Sequence, residues 1–461
     1  MPFFIWWDLF LVAERGFMPY TETLFYLMKI EITQLEEEGC DTTELKKEYE
    51  SLKKEDPDIE KLAARLYKKA ARLKPRKDFP YQEPSEYAKI LKKRSRGPRR
   101  YKKILGEAEL KARIQGAWLG RCAGCLLGKP VEPLGHNRKM MLDVMSQHGV
   151  LPLSDYLPRL SKGIPEYVHY EAWDEEYIPC AKENLKAAER DDDLDYTILG
   201  LYYLEKFGPD FKTQDVAMTW LSRLPYLRIY TAERVAYYNL INNIEPPLSA
   251  SLNNPYREWI GAQIRADAFG YAAPGWPEKA AELAYRDASL THVKNGIYGE
   301  MLMAAIIAAA FAAKTVEEAI LAGLAEIPKT SRLYEAVQNV MAWVKEDNDP
   351  EKTTQRIHDA YGKYHAVHTI NNAAVVIMAL MYAGRDFEKG ITLAVLGGWD
   401  TDCNGATVGS ILGALLGVEG IPAKWAAPLN NTLKSDVVGF YVNQISELAD
   451  RTCQQAIRII S

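Results

Sequence analysis

From about residue 106 onward the chain reads as long apolar segments at helical spacing, separated by Gly and Pro turns. Ala-rich stretches at 304–313 and 373–383 favour helix, because alanine has the highest intrinsic helix propensity. Runs that alternate apolar and polar residues between turn signals, the mark of strands, are few. The pattern predicts an all-α protein. The first hundred residues have another texture. Residues 1–30 are rich in Phe, Trp, Tyr and Leu, and residues 31–75 in Glu, Lys, Leu and Ala, with Ile32, Leu35, Leu45 and Leu52 near helical spacing. Asp56-Pro57-Asp58 breaks one helix, and Ile59, Leu62, Ala63 and Leu66 begin the next. A helical hairpin is expected there, as an appendage for packing or for homo-oligomerisation. Pro75, Pro80 and Pro84 mark a linker over 75–88. A basic run follows: Lys89, Lys92, Lys93, Arg94, Arg96, Arg99, Arg100, Lys102 and Lys103. Few aromatics accompany it, which favours a solvated linker over an RNA-binding strip. Two units result: an N-terminal helical extension with its basic linker at 1–105, and one helical domain at 106–461.

Two predicted helices carry glycine at every fourth position. One set is Gly116, Gly120, Gly124 and Gly128, the other Gly405, Gly409, Gly413 and Gly417. Residues four apart share a helix face, so each set forms a smooth ridge. Glycine costs about 1 kcal/mol per helix position relative to alanine. The natural compensation is close backbone approach by another helix. Both helices are therefore placed in the core, packed near each other.

Composition narrows the class. The 461 residues include 57 Lys and Arg against 62 Asp and Glu, a formal net charge of −5, which argues against a general nucleic-acid partner. An apolar fraction of 48% excludes wholesale disorder. Six cysteines in so long a chain do not make a disulfide scaffold and point to a reducing, cytoplasmic setting. No stretch reads as a transmembrane helix. Residues 1–12 are apolar but contain Asp8 and lack a basic n-region and a small-residue cleavage site, so no signal peptide is expected.

Acids are clustered where chemistry could use them. The second ridge helix opens with Gly397-Gly398-Trp399-Asp400-Thr401-Asp402-Cys403-Asn404. One Asp there would be a helix cap, whereas Asp-x-Asp lets two carboxylates face one hard cation. Asp191-Asp192-Asp193-Leu194-Asp195 begins another helix, continued by Ile198, Leu201 and Leu204. Four acids in five residues exceed what capping needs. Pro130 stops the first ridge helix, so Glu132 lies just beyond its end. Three acidic clusters near one core would repel one another without a counterion. A divalent pair removes that cost, and oxygen donors favour Mg²⁺, Mn²⁺ or Ca²⁺ over zinc.

Gly116-Ala117-Trp118-Leu119-Gly120, Leu127-Gly128-Lys129-Pro130-Val131-Glu132, Asp191-Asp192-Asp193 with Tyr196-Thr197, and Asp400-Thr401-Asp402 with Asn404-Gly405-Ala406 occur in this order. Together they resemble the ADP-ribosylglycohydrolase family over roughly residues 108–450. The resemblance implies an all-α orthogonal helical bundle around a binuclear Mg²⁺ or Mn²⁺ site. It implies Asp192, Asp193, Asp400 and Asp402 as metal ligands and Glu132 as the acid beside them. Asp191 stands where many members have Thr, which adds a fifth carboxylate, and Cys403 stands where many have Thr or Ser. The expected metal set is thus Asp191, Asp192, Asp193, Asp400, Asp402 and Cys403, and the catalytic set Glu132, Asp193 and Asp402. His292, in Ser289-Leu290-Thr291-His292, matches the family's Leu-Thr-His segment near the ligand. Gly261 and Arg265 are the counterparts of its diphosphate-binding loop, although the Asn-Gly pair of that loop is absent. Trp399 completes the substrate-binding set.

The implied activity is hydrolysis of a ribosyl glycosidic bond, ADP-ribose on arginine being the family's default. The altered 259–265 loop leaves a smaller nucleoside-like N-glycoside as an alternative. Cys403 and the missing Asn-Gly pair leave a non-catalytic ADP-ribose-binding protein as another. Partners would be a ribosylated small molecule or an ADP-ribosylated protein, with no membrane. Cys122 and Cys125 read as small core residues. His358, His365 and His368 read as a polar helix face or substrate rim, with His365 and His368 on one face at i, i+3. Trp259, Tyr271 and Trp276 could stack on a base, against ordinary packing.

Overall fold

The structure is a computed structural model, described over residues 23–102, 105–165 and 177–461. The aromatic stretch 1–22 and Lys103 of the basic run lie outside the described residues. Paired strands among the described residues are limited to one antiparallel hairpin, Thr432–Lys434 with Val442–Gln444. Everything else regular is helical, as the 3.6-residue periodicity requires. No helix among the described residues is long and apolar enough to cross a membrane.

The two glycine ridges face each other. They lie on the Glu107–Gly128 and Thr401–Leu416 helices, which run antiparallel. A Cβ placed on Gly116, Gly120, Gly124 or Gly128 would stand 2.7, 2.2, 1.9 or 2.2 Å from the carbonyl oxygen of Gly413, Gly409, Gly405 or Thr401. No real side chain tolerates such distances, so the glycines are what allow the backbones to touch. Around this pair pack the Lys294–Ala310 and Thr369–Ala383 helices, buried almost all round. A helix buried on every side needs apolar residues on every face, which explains the Ala-rich stretches.

The extension forms three helices, Leu24–Glu37, Thr43–Glu50 and Ile59–Ala70. The break falls at 51–58, as Asp56-Pro57-Asp58 predicts. Leu27, Met28, Ile32 and Leu35 are buried in a second, smaller core shared with Ala232, Tyr256 and Trp259 of the main domain. The apolar face of the first helix is thus covered within the chain.

The linker departs from expectation. It is strapped down rather than solvated. Glu83 receives Arg332 through both carboxylate oxygens. Tyr87–Lys93 is a short helix whose Ile90 is fully buried. Arg94 and Arg99 both close on the buried Glu326. A buried carboxylate requires such partners. The basic run supplies them, which a charge pattern alone could not reveal.

Candidate functional site

The antiparallel ridges deliver the end of one helix to the start of the other. At the last rung the Thr401 hydroxyl donates to the Gly128 carbonyl at 2.9 Å. The chain then passes through a 3-10 turn, Lys129–Val131, into the helical turn Glu132–Gly135. Trp399 donates its backbone N–H to Gly135 at 2.7 Å. Trp399 sits at φ 60°, after Gly398 at φ 78°. Left-handed backbone at a non-glycine residue is costly, and this sharp reversal is what aims Asp400 inward. Asn372 holds the next step: its Oδ1 accepts from the backbone N–H of Asp400 (3.2 Å) and from Asn404 Nδ2 (2.8 Å). Asp400 is the N-cap of the Thr401–Leu416 helix.

The third acidic segment starts the Asp192–Phe207 helix, with Asp191 as its N-cap. Glu132, Asp400 and Asp402 each offer an oxygen within 4.8 Å of the others. Asp193, Asp402 and Cys403 form a second such group, so Asp402 belongs to both. Asp402 Oδ1 is buried with no hydrogen-bond partner. Burial, then the charge of Asp402 and Asp191, holds Glu132 well above the carboxylate range. Burial and Asp402 do the same to Asp400, and burial and Asp191 push Asp402 up to about 6. Mutual repulsion of this kind is what a bound cation relieves. Three convergent oxygen donors, one of them orphaned, fit a hard divalent ion. Tyr177 donates its hydroxyl to Glu132 Oε2 at 3.2 Å.

The family model for ADP-ribosylglycohydrolases matches residues 106–458. The chain belongs to the ADP-ribosylglycohydrolase family. A solved structure titled "ADP-ribosylglycohydrolase-related protein complex" is 20% identical over 77% of this chain and 100% of that chain, with a TM-score of 0.44, too low to carry an argument. No curated protein matches the chain. The all-α fold is the one expected of an ADP-ribosylglycohydrolase, and the family supports glycosyl hydrolase chemistry on ADP-ribose derivatives.

Within that family setting several expected residues take other places. Asp191 is not a free fifth carboxylate. Its Oδ2 takes Lys129 Nζ at 2.9 Å and its Oδ1 takes the backbone N–H of Asp193 at 2.9 Å. Burial alone would raise its pKa, but Lys129 and Arg190 more than offset that and lower it. Asp192 is half-buried beside both groups and belongs to neither. Asp193 gives Oδ1 to Arg121 (3.0 Å) and Oδ2 to the Cys403 thiol (3.0 Å). Arg121, fully buried, also pairs with Asp267 at 2.8 Å and donates to Thr197 and to the Ile264 carbonyl.

Arg265 departs furthest from its expected role. Its guanidinium donates to Asp287, Glu233, Thr291 and the Gly261 carbonyl, which uses the whole fork inside the protein. Gly261 is pressed against Glu233, with no room for a Cβ. His292 lies beside Arg265, its Nδ1 2.6 Å from the Thr291 hydroxyl and its Nε2 buried without a partner. The Trp399 ring stacks on His358 at 4.0 Å, and His358 Nε2 bonds the Gly397 carbonyl at 2.8 Å. His365 and His368 do not share a helix face; they lie before the Thr369–Ala383 helix, of which His368 is the N-cap. His365 stacks on Trp259 at 4.1 Å. Tyr271 bonds Ser410 and Trp276 lies under Arg100, so all three aromatics pack within the protein. Cys122 and Cys125 are fully buried free thiols.

Sequence reasoning passed over Lys129, Arg121, Asn372 and Tyr177. Arg121 carried a signal, a lone cation in the middle of an apolar glycine ridge. Lys129 carried one too, since it lies inside the quoted motif.

Proposed function

We propose that the chain is a divalent-metal-dependent hydrolase that cleaves a ribosyl glycosidic bond, releasing ADP-ribose from arginine or a similar acceptor. The observation that carries this reading is the convergence of Glu132, Asp400 and Asp402, which the antiparallel glycine ladder brings together at one of its ends. Glu132, Asp400 and Asp402 would hold one Mg²⁺ or Mn²⁺, and Asp193, Asp402 and Cys403, with Asp192 beside them, the second ion. Bound divalent cations supply charge stabilisation and a lowered pKa for water. Glu132, oriented by Tyr177, would accept the proton of the attacking water. The nearby carboxylates stabilise the oxocarbenium-like transition state at the anomeric carbon. Asn372 and the Trp399 turn fix Asp400 in place.

A smaller nucleoside-like N-glycoside is the second reading. It is favoured by Arg265, whose fork is engaged inside the protein instead of facing a diphosphate. We place the substrate chemistry in 106–461 and a supporting role in 1–105. The test is product analysis with ADP-ribosyl-arginine, ADP-ribosyl-serine and a nucleoside panel in Mg²⁺ or Mn²⁺. Asp400→Ala should abolish turnover in a folded protein; turnover that survives it, or that ignores EDTA, overturns the proposal.

A further inference from the structure

Asp402 stands between two donor groups of different chemistry. Toward Glu132 and Asp400 every donor is oxygen; toward Asp193 one donor is the sulfur of Cys403. We propose that this second position takes a thiophilic divalent ion of the Zn²⁺, Co²⁺ or Fe²⁺ class, with Cys403 as thiolate ligand and Asp402 shared with a hard ion held by Glu132 and Asp400. The inference rests on the metal-dependent reading above and names the ion class of one of its positions.

Three observations carry it. Cys403 Sγ is buried, 6% exposed at the residue, and lies 3.0 Å from Asp193 Oδ2. Arg121 holds Asp193 by Oδ1 and by its backbone carbonyl, so Oδ2 is the oxygen turned to Cys403. Support of a ligand from behind in this way is what orients metal-binding carboxylates. Asp402 Oδ1, from a residue 4% exposed, has no hydrogen-bond partner. A buried acceptor left unsatisfied on the residue that both groups share points to an ion rather than to another donor.

The chemistry then decides which ion. Mg²⁺ prefers oxygen donors and binds sulfur poorly, while one sulfur with two carboxylate oxygens suits zinc and its neighbours. On binding, the Cys403 S–H bond breaks, a sulfur–metal bond forms, and the proton leaves to solvent; no electron changes hands. The hydrogen bond from Cys403 to Asp193 is replaced by two bonds to one cation. The two positions would therefore be loaded independently, the hard one by Mg²⁺ or Mn²⁺ and the mixed one by the thiophilic ion.

The test uses the full chain stripped of metal. Titration with Co²⁺ should give a thiolate-to-cobalt charge-transfer absorption. Cys403→Ser, checked for an unchanged melting curve, should lose that band. Calorimetry in two buffers of different ionisation enthalpy should show about one fewer proton released per Zn²⁺ in the variant. Zn²⁺ affinity should fall roughly ten- to a hundredfold in the variant, with Mn²⁺ affinity of the oxygen-only group unchanged. A wild-type protein that binds Mn²⁺ but shows no charge-transfer band overturns this proposal and leaves the hydrolase standing. So does a band that persists in Cys403→Ser. Failure to bind Mg²⁺, Mn²⁺ or Co²⁺ at all overturns both.

Discussion

A Cβ on Gly124 would stand 1.9 Å from the carbonyl oxygen of Gly405. The obstacle is main chain, so no side chain can swing aside to make room. Overpacking inside a core ordinarily costs about 1–3 kcal/mol. Gly124→Ala should exceed that range although it raises helix propensity. Chemical denaturation reads it, and an alanine variant as stable as the parent would show that the two helices do not touch. Gly405→Ala should behave alike, because its Cβ would stand 2.4 Å from the Gly124 oxygen.

Arg121 balances two buried acids at once, Asp193 and Asp267. Removing one partner of a buried ion pair costs about 3–5 kcal/mol, because the other charge is left uncompensated. Arg121→Met should show a loss of that order in equilibrium unfolding. Arg121→Lys should recover little of it, since an ammonium cannot reproduce the fork that also reaches Thr197 and Ile264.

The acids of the site make stability depend on pH in the metal-free protein. Unfolded Asp ionises at about pH 3.9, whereas folded Asp402 does so at about 6, and Glu132 and Asp400 are shifted in the same direction. Between those values the folded chain keeps protons that the unfolded chain releases, so stability falls as pH rises. Melting temperature without metal should drop from pH 4 upward through about 6. Mn²⁺ should raise it more at pH 7.5 than at pH 5, because protons and cation compete for the same oxygens. An equal increment at both pH values would place the ion elsewhere.

Glu37 of the extension faces His368, its Oε2 3.6 Å from Nε2. Burial, then Glu258, lifts Glu37 to about 8, and burial lowers His368 to about 3. Glu37 thus keeps its proton near neutrality, while an unfolded Glu loses it near about pH 4.3. Its contribution to stability shrinks as pH rises between those two values. Glu37→Gln mimics the protonated form. The melting-temperature advantage of the variant should grow up to about pH 8 and then level off; an advantage independent of pH would mean that Glu37 is already ionised.

The glycine ladder was legible because a period of four residues encodes a helix face directly, and glycine on a face has few uses beyond close approach. The acidic clusters were legible because they sit where helices begin. The partners of those acids were not. Lys129 and Asp191 are 62 positions apart, and a charge pattern does not say which cation will reach which anion. Arg265 reads from sequence as a cation free for a ligand; only the fold shows four protein groups around it. The strapped linker fails for the same reason, since Glu326, which Arg94 and Arg99 neutralise, lies more than 200 residues away.

The ladder also has an ambiguity built into it. Both ridges repeat every fourth residue, so sliding one helix past the other by one repeat, about 6 Å at 1.5 Å per residue, would set glycine against glycine again. The rungs are interchangeable and cannot count themselves. Thr401 supplies the missing index mark: it is the one rung with a side chain, and its hydroxyl finds Gly128 while the Trp399 amide finds Gly135. A neighbouring rung would carry Glu132 a full turn away from Asp400 and Asp402. The alignment of the carboxylates is therefore set at the site's own end of the helix pair, by two hydrogen bonds, while the long glycine seam merely permits it.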